Sequence, residues 1–182
     1  MRCSVFVGTS LDGFIAREDG GIDWLTAADP DAPAAEGDHG FQAFFDTVDA
    51  LVMGRNTFDL VRTFSQWYYG DKPVFVLTSR PLDDPGSVPP TVEVVSGTPG
   101  EVVHQLEARG FSHLYVDGGL TIQAFLNEGL IDRLVVTRLP ILIGTGIPLF
   151  GPTPRDIRLR HVTTRTLPGG LVQSEYEVLR DR

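Results

Sequence analysis

Three short segments of this sequence bring glycine, hydroxyl and guanidinium groups together in a way that suits a phosphate. Gly54-Arg55-Asn56-Thr57 follows an apolar run and places an arginine and a threonine at the first turn of a helix, where free backbone N–H groups already favour an anion. Thr78-Ser79-Arg80 again puts hydroxyls and an arginine at a strand end, and Pro81 stops further pairing. In Asp117-Gly118-Gly119-Leu120-Thr121 two residues without side chains let a ligand approach the backbone as another helix begins. Each segment also has a plain structural alternative: an arginine paired with a nearby carboxylate, an ordinary turn, an aspartate capping the next helix. Together they supply what an adenosine dinucleotide with an extra phosphate requires, a pyrophosphate cradle and a cationic pocket.

Other chemistries find no support. No G-x-G-x-x-G follows the first strand, and Gly144-Thr145-Gly146-Ile147-Pro148 has proline where a helix would be under way. Lys72 is the only lysine and no P-loop surrounds it. Ser10, Ser65 and Ser79 lack a nucleophile-elbow context, and His39, His104, His113 and His161 have no metal-ligand spacing. The net charge of −9 opposes a polyphosphate backbone, so nucleic acid is a poor partner. Residues 12–49 hold ten carboxylates against the single base Arg17, so a bound anion is expected elsewhere. Cys3 stands alone, which fits a reducing compartment. The first residues turn polar too early for a signal peptide, and no apolar run approaches a membrane span; a cytoplasmic protein is expected.

The elements that must position these segments alternate. Strands are expected near 2–9, 50–53, 73–78, 91–95, 113–117, 131–139, 156–166 and 171–179, eight in all. Four helices are expected: 41–48, 56–63, 99–109 and one that begins after Gly118-Gly119 and stops at Gly129. The third is best marked, since Thr98-Pro99-Gly100-Glu101 combines a capping box with proline at the first helical position. Continuous apolar character in the middle strands predicts a mostly parallel sheet covered on both faces, and Pro168-Gly169-Gly170 predicts a C-terminal antiparallel hairpin. Residues 27–40, small, acidic and proline-containing, read as a flexible surface loop within a single domain, 1–182.

The order Ser10-Leu11-Asp12-Gly13, Met53-Gly54-Arg55-Asn56-Thr57-Phe58, Leu77-Thr78-Ser79-Arg80, Asp117-Gly118-Gly119 and Leu142 to Phe150 resembles the dihydrofolate-reductase-like superfamily. More narrowly, it is similar to the reductase domain of the bifunctional riboflavin-biosynthesis deaminase-reductase, over nearly the whole chain. No deaminase half is expected in these residues, because its P-C-x-x-C motif cannot be written with one cysteine. The resemblance implies a three-layer α/β fold, a homodimer and an NADPH-dependent oxidoreductase. Gly54, Arg55, Thr57, Thr78, Ser79 and Arg80 would hold the adenosine phosphates, and Gly118, Gly119, Leu120 and Thr121 the pyrophosphate. Strand one and the loop containing Gly144 would flank the nicotinamide. Asp12 and Asp117 are the candidate acids; Asp38 and Trp24 are candidates for substrate contact, the first as a replacement for the acid of true dihydrofolate reductases. The acceptor so implied is a ribosylaminopyrimidine, as in 5-amino-6-(5-phosphoribosylamino)uracil reductases. Another pterin, imine or carbonyl compound is the alternative, or a non-catalytic NADPH-binding role.

Overall fold

In a computed structural model of the chain, residues 1–26 and 38–180 are described; most of the expected acidic loop lies outside them. The elements run β1 (Arg2–Thr9), β2 (Phe14–Ala16), α1 (Asp23–Thr26), α2 (Phe41–Phe45), β3 (Ala50–Gly54), α3 (Arg55–Val61), β4 (Val74–Leu77), β5 (Val92–Val95), α4 (Pro99–Ala108), β6 (His113–Asp117), α5 (Gly119–Asn127), β7 (Arg133–Arg138), β8 (Ile147–Pro148), β9 (Leu159–Leu167) and β10 (Leu171–Val178). Eight strands form one sheet in the order β5-β4-β3-β6-β1-β7-β10-β9. The six from β5 to β7 in that order are parallel, and β10 runs antiparallel between β7 and β9. These eight are the strands expected from the sequence. The four expected helices are present with somewhat shorter spans, and the four-residue α1 adds a fifth. A second small sheet, β2 with β8, was not foreseen.

The continuous apolar runs are explained by a core on each face of the sheet. Because side chains alternate along a strand, Leu51 and Met53 of β3 enter one cluster while Ala50 and Val52 enter the other. The first cluster is closed by Phe44 and Phe45 of α2 and Phe58 and Val61 of α3. Val102 and Leu106 of α4, with Ile122, Phe125 and Leu126 of α5, close the second. Thr98 and Glu101 form the expected capping box: Glu101 N–H donates to Thr98 Oγ1, and Thr98 N–H to Glu101 Oε2 at 2.8 Å. At the hairpin, Gly169 and Gly170 take φ of +76° and +74°, a conformation that Leu167 or Leu171 would resist.

At the amino ends of β1 and β6 a buried polar contact ties the sheet to the segment before β3. His113 Nδ1 lies 2.7 Å from the Thr47 carbonyl, which only accepts, so Nδ1 carries the hydrogen and Nε2 accepts from Ser4 Oγ at 2.7 Å. Both residues are buried. Asp49 Oδ2 accepts instead from the Ser112 and His113 backbone N–H groups and from Ser112 Oγ. Burial holds the imidazole below its ordinary value of 6.5, so the folded state prefers the neutral ring. The unfolded chain therefore takes up the proton first as pH falls, and stability is lost below 6.5. In urea unfolding, the stability advantage of wild type over His113→Gln is expected to shrink steadily as the pH is lowered past 6.5; an advantage independent of pH would contradict this.

Candidate active site

β3 and β6 are parallel neighbours with Met53 opposite Asp117, so Gly54 and Gly118 leave the sheet level with each other. Each opens a Gly-x-x-Thr sequence, and each glycine faces the threonine of the other turn. A Cβ on Gly54 would lie 2.7 Å from Thr121 Oγ1, and one on Gly118 would overlap Thr57 Oγ1. Gly118 also holds φ at +90°, outside the range that other residues adopt easily. No side chain caps the first turn of α5, which leaves its leading N–H groups to whatever occupies the crevice. Above this floor sits the small β2–β8 sheet, pressed so close that a Cβ on Gly119 would come within 2.7 Å of Ile15 Cδ1.

A cavity of about 620 Å³ opens between these parts. One end is polar, made of Gly54 to Thr57 and Gly118 to Thr121; the other is aromatic, made of Phe6, Phe64, Tyr69 and Tyr115 with Leu60. Asp117, next to Gly118 and two residues from Tyr115, also lines the cavity. Its Oδ1 accepts from Gly118 N–H at 2.8 Å, which favours the charged form, but burial outweighs that bond and pushes the carboxyl up to about 6. Tyr115, two residues earlier on the same face of β6, donates its hydroxyl to the Phe6 carbonyl at 2.8 Å. Burial raises the phenols of Tyr69 and Tyr115, and the Asp117 charge adds to both shifts.

The structure divides the expected site residues into several places. Gly54, Arg55, Thr57, Asp117, Gly118, Gly119, Leu120 and Thr121 all line the cavity. The Arg55 guanidinium nevertheless follows the structural alternative, donating to Asp59 at 2.7 Å, to the Pro81 carbonyl at 2.7 Å and to Asp83 at 2.5 Å. Thr78, Ser79 and Arg80 line a separate depression of about 790 Å³ beyond the end of β4. There the Arg80 N–H donates to Thr78 Oγ1 while the Arg80 side chain is exposed. Asp12 and Gly144 are partners of each other: Asp12 Oδ2 accepts from Gly144 N–H at 2.8 Å and Oδ1 from Ile143 N–H. Asp12 is exposed, and hydrogen bonds, first that of Ser10, hold its carboxyl below the usual range. Asp38 accepts from the Gly40 and Gln42 N–H groups and so caps α2. Trp24 is 2% exposed and packs on Leu139 and Leu171, so it is a core residue, while Ile22 and Leu25 beside it reach the cavity.

Sequence reasoning missed the aromatic end. The one local signal was the run Trp67-Tyr68-Tyr69 in a segment with neither helical nor strand period, an unusual place for three large rings. Trp67 and Tyr69 pack at 5.1 Å, nearly perpendicular, and Tyr68 is exposed.

Comparison with known proteins agrees with this architecture. Residues 3–173 match the family model described as RibD C-terminal domain. The chain belongs to the RibD C-terminal domain family. This RibD C-terminal domain is 42% identical, with a TM-score of 0.89, to the structure of a putative riboflavin biosynthesis protein from Shewanella sp. PV-4, covering 99% of this chain and 100% of that one. It is 33% identical over 174 residues to the uncharacterized protein YwjB of Bacillus subtilis (strain 168), covering 94% of this chain and 95% of that protein. The fold alone is shared with a dihydrofolate reductase from Enterococcus faecalis complexed with NADP(H): TM-score 0.68, 14% identity, 98% of this chain and 97% of that one. The dihydrofolate-reductase-like fold implied by the sequence motifs is therefore the fold of the chain.

The interlocked turns of this RibD C-terminal domain predict unequal rescue in double-mutant cycles. Gly54 has an ordinary φ of −74°, so Gly54→Ala is destabilised only by its contact with Thr121. Removing that hydroxyl with Thr121→Ala should recover most of the loss, a coupling of roughly 1–2 kcal/mol. Gly118→Ala keeps its backbone strain, roughly 1–3 kcal/mol, even when Thr57→Ala removes the clash. Equal rescue of both pairs in thermal unfolding would contradict this geometry.

Proposed function

We propose that this chain is an NADPH-dependent reductase of a small imine or carbonyl compound. The observation that carries this reading is the pair of crossed Gly-x-x-Thr turns, floored by glycine and opening on an aromatic cavity with an acid at the junction. The residues present fit a dinucleotide: the first turn of α5 is uncapped, and side chains on Gly54 or Gly118 would force apart the two turns that line the crevice. Thr57, Thr121 and the leading N–H groups of α5 would hold the pyrophosphate. NADPH, when bound, supplies the hydride, and reduction of a C=N or C=O bond then also requires one proton at the heteroatom.

Asp117 is the group placed to hold that proton. Its carboxyl borders the cavity and has one oxygen tied by Gly118 N–H, leaving Oδ2 for an acceptor atom. Arg80 is the cation for the 2′-phosphate, with Thr78 and Ser79 beside it. Arg55 acts as a positioning residue: by holding the Pro81 carbonyl and Asp83 it fixes the segment that carries Arg80. The riboflavin-type resemblance makes a ribosylaminopyrimidine the first acceptor of the class to examine.

Calorimetric titration tests the cofactor. NADPH is expected to bind more tightly than NADH, and Arg80→Ala to weaken NADPH about tenfold while leaving NADH unaltered. No heat with either cofactor would end the reductase reading. The acid is tested by pH: kcat/KM for NADPH oxidation is expected to fall as pH rises through about 6, where Asp117 ionises, and Asp117→Asn should remove that limb. An unchanged limb in the variant would remove Asp117 from the proton role.

A further inference from the structure

The chemistry of the acceptor can be read from what the aromatic end of the cavity contains, given the reductase reading above. Among the described residues lining the cavity, Arg55 is the one lysine or arginine, and its guanidinium is already engaged by Asp59, Pro81 and Asp83. Residues 27–37 contain no lysine or arginine that might add to it. Two other cations of the flanking segments are also committed. Arg17 pairs with Asp23 at 2.6 Å, and Lys72 lies over the Phe45 ring, donating to the Phe45 and Val48 carbonyls.

Tyr69 is the polar group at this end that nothing else employs. The residue is 7% exposed and lines the cavity. Its hydroxyl makes no hydrogen bond within the described residues. Nor is it one of the sealed orphan atoms, which are Trp24 Nε1, Trp67 Nε1 and Thr91 Oγ1. A buried phenol with an unpartnered but accessible hydroxyl is a donor waiting for an acceptor atom. The ring itself is fixed by Trp67 at 5.1 Å and Phe45 at 6.3 Å, so the hydroxyl has little freedom to turn elsewhere. Tyr69 follows α3 in the chain and shares the cavity lining with Leu60 and Val61 of that helix and with Phe64 just after it.

A phosphate carried into this end would meet no available cation, the carboxyl of Asp117, and the field of a chain with net charge −9. An uncharged ring would meet apolar and aromatic walls and a donor, Tyr69 Oη. We infer that the acceptor is an uncharged planar ring that bears a carbonyl or imine nitrogen and no phosphate, and that Tyr69 orients it by donating a hydrogen bond to that atom.

The test is calorimetry on the full chain, with and without saturating NADP⁺, using 5-amino-6-(ribosylamino)uracil, its 5-phosphate, and ribose 5-phosphate as probes. The unphosphorylated compound is expected to bind at least as tightly as its phosphate ester, and ribose 5-phosphate to give no heat in the presence of NADP⁺. Tyr69→Phe, which keeps the packing of the ring, should weaken the unphosphorylated compound about tenfold while the NADP⁺ affinity stays at the wild-type value. A phosphate ester that binds ten times tighter, a signal from ribose 5-phosphate, no binding of the unphosphorylated ring, or a Tyr69→Phe variant with full ring affinity would each overturn the inference. Loss of NADP⁺ binding alone, with ring binding intact, would count against the reductase reading and leave the acceptor class standing.

Discussion

The turns that leave β3 and β6 can lie side by side only because neither Gly54 nor Gly118 has a side chain. Parallel pairing brings the two strand ends level, and the helices that follow then diverge, α3 to one face of the sheet and α5 to the other. A crevice at such a divergence is where ligands settle in open α/β sheets. Here its walls are the two threonines, each seated against the opposite glycine, so the width of the crevice is set by van der Waals contact and not by a flexible loop. The β2–β8 sheet closes against Gly119 for the same reason: the absence of a Cβ lets Ile15 and Ile147 come down on the backbone.

Charge around this crevice is arranged by the need to satisfy a half-hidden guanidinium. The Arg55 side chain is 11% exposed, and a cation so placed is tolerated only with its donors engaged. Asp59, one helical turn on, and Asp83 with the Pro81 carbonyl supply the partners. Those bonds tie α3 to the segment after β4, so one arginine serves as a strut while Arg80, at that segment's start, stays exposed. Asp59 and Asp83 are in this way engaged by Arg55, while the Arg80 side chain stays at the surface.

Much of this was legible in the sequence, and the boundary of legibility is physical. The middle strands of the main sheet announce themselves because strands buried on both faces must be apolar throughout, as in Leu51-Val52-Met53. The Thr98 capping box is local chemistry and can be read from four residues. Strands of three and two residues such as β2 and β8 are too short to carry a period, and they went unseen. The partnership of Asp12 with Gly144 joins residues 132 apart, so the sequence shows the Asp-Gly turn but not that its carboxylate also braces a distant loop. Trp24 shows the same limit in miniature: a helix one turn long gives no sequence signal for which of Ile22, Trp24 and Leu25 faces the core. Tyr69 and Tyr68 are chemically identical neighbours, and only packing against Trp67 and Phe45 decides which one faces inward.

The acid at the centre of the site is governed by the same glycine that floors the crevice. Asp117 Oδ1 takes its hydrogen bond from the N–H of Gly118, the very next residue, and the +90° φ of Gly118 belongs to the same local turn. The acid is therefore held beside the turn by a hydrogen bond to the adjacent peptide unit. That bond also moderates the effect of burial, since it stabilises the carboxylate that desolvation disfavours, and the balance falls at about 6. A more exposed aspartate here would ionise at lower pH, and one buried without the amide would keep its proton to higher pH. Placement of Asp117 thus follows from the local backbone geometry, while its proton affinity follows from burial, moderated by the Gly118 amide.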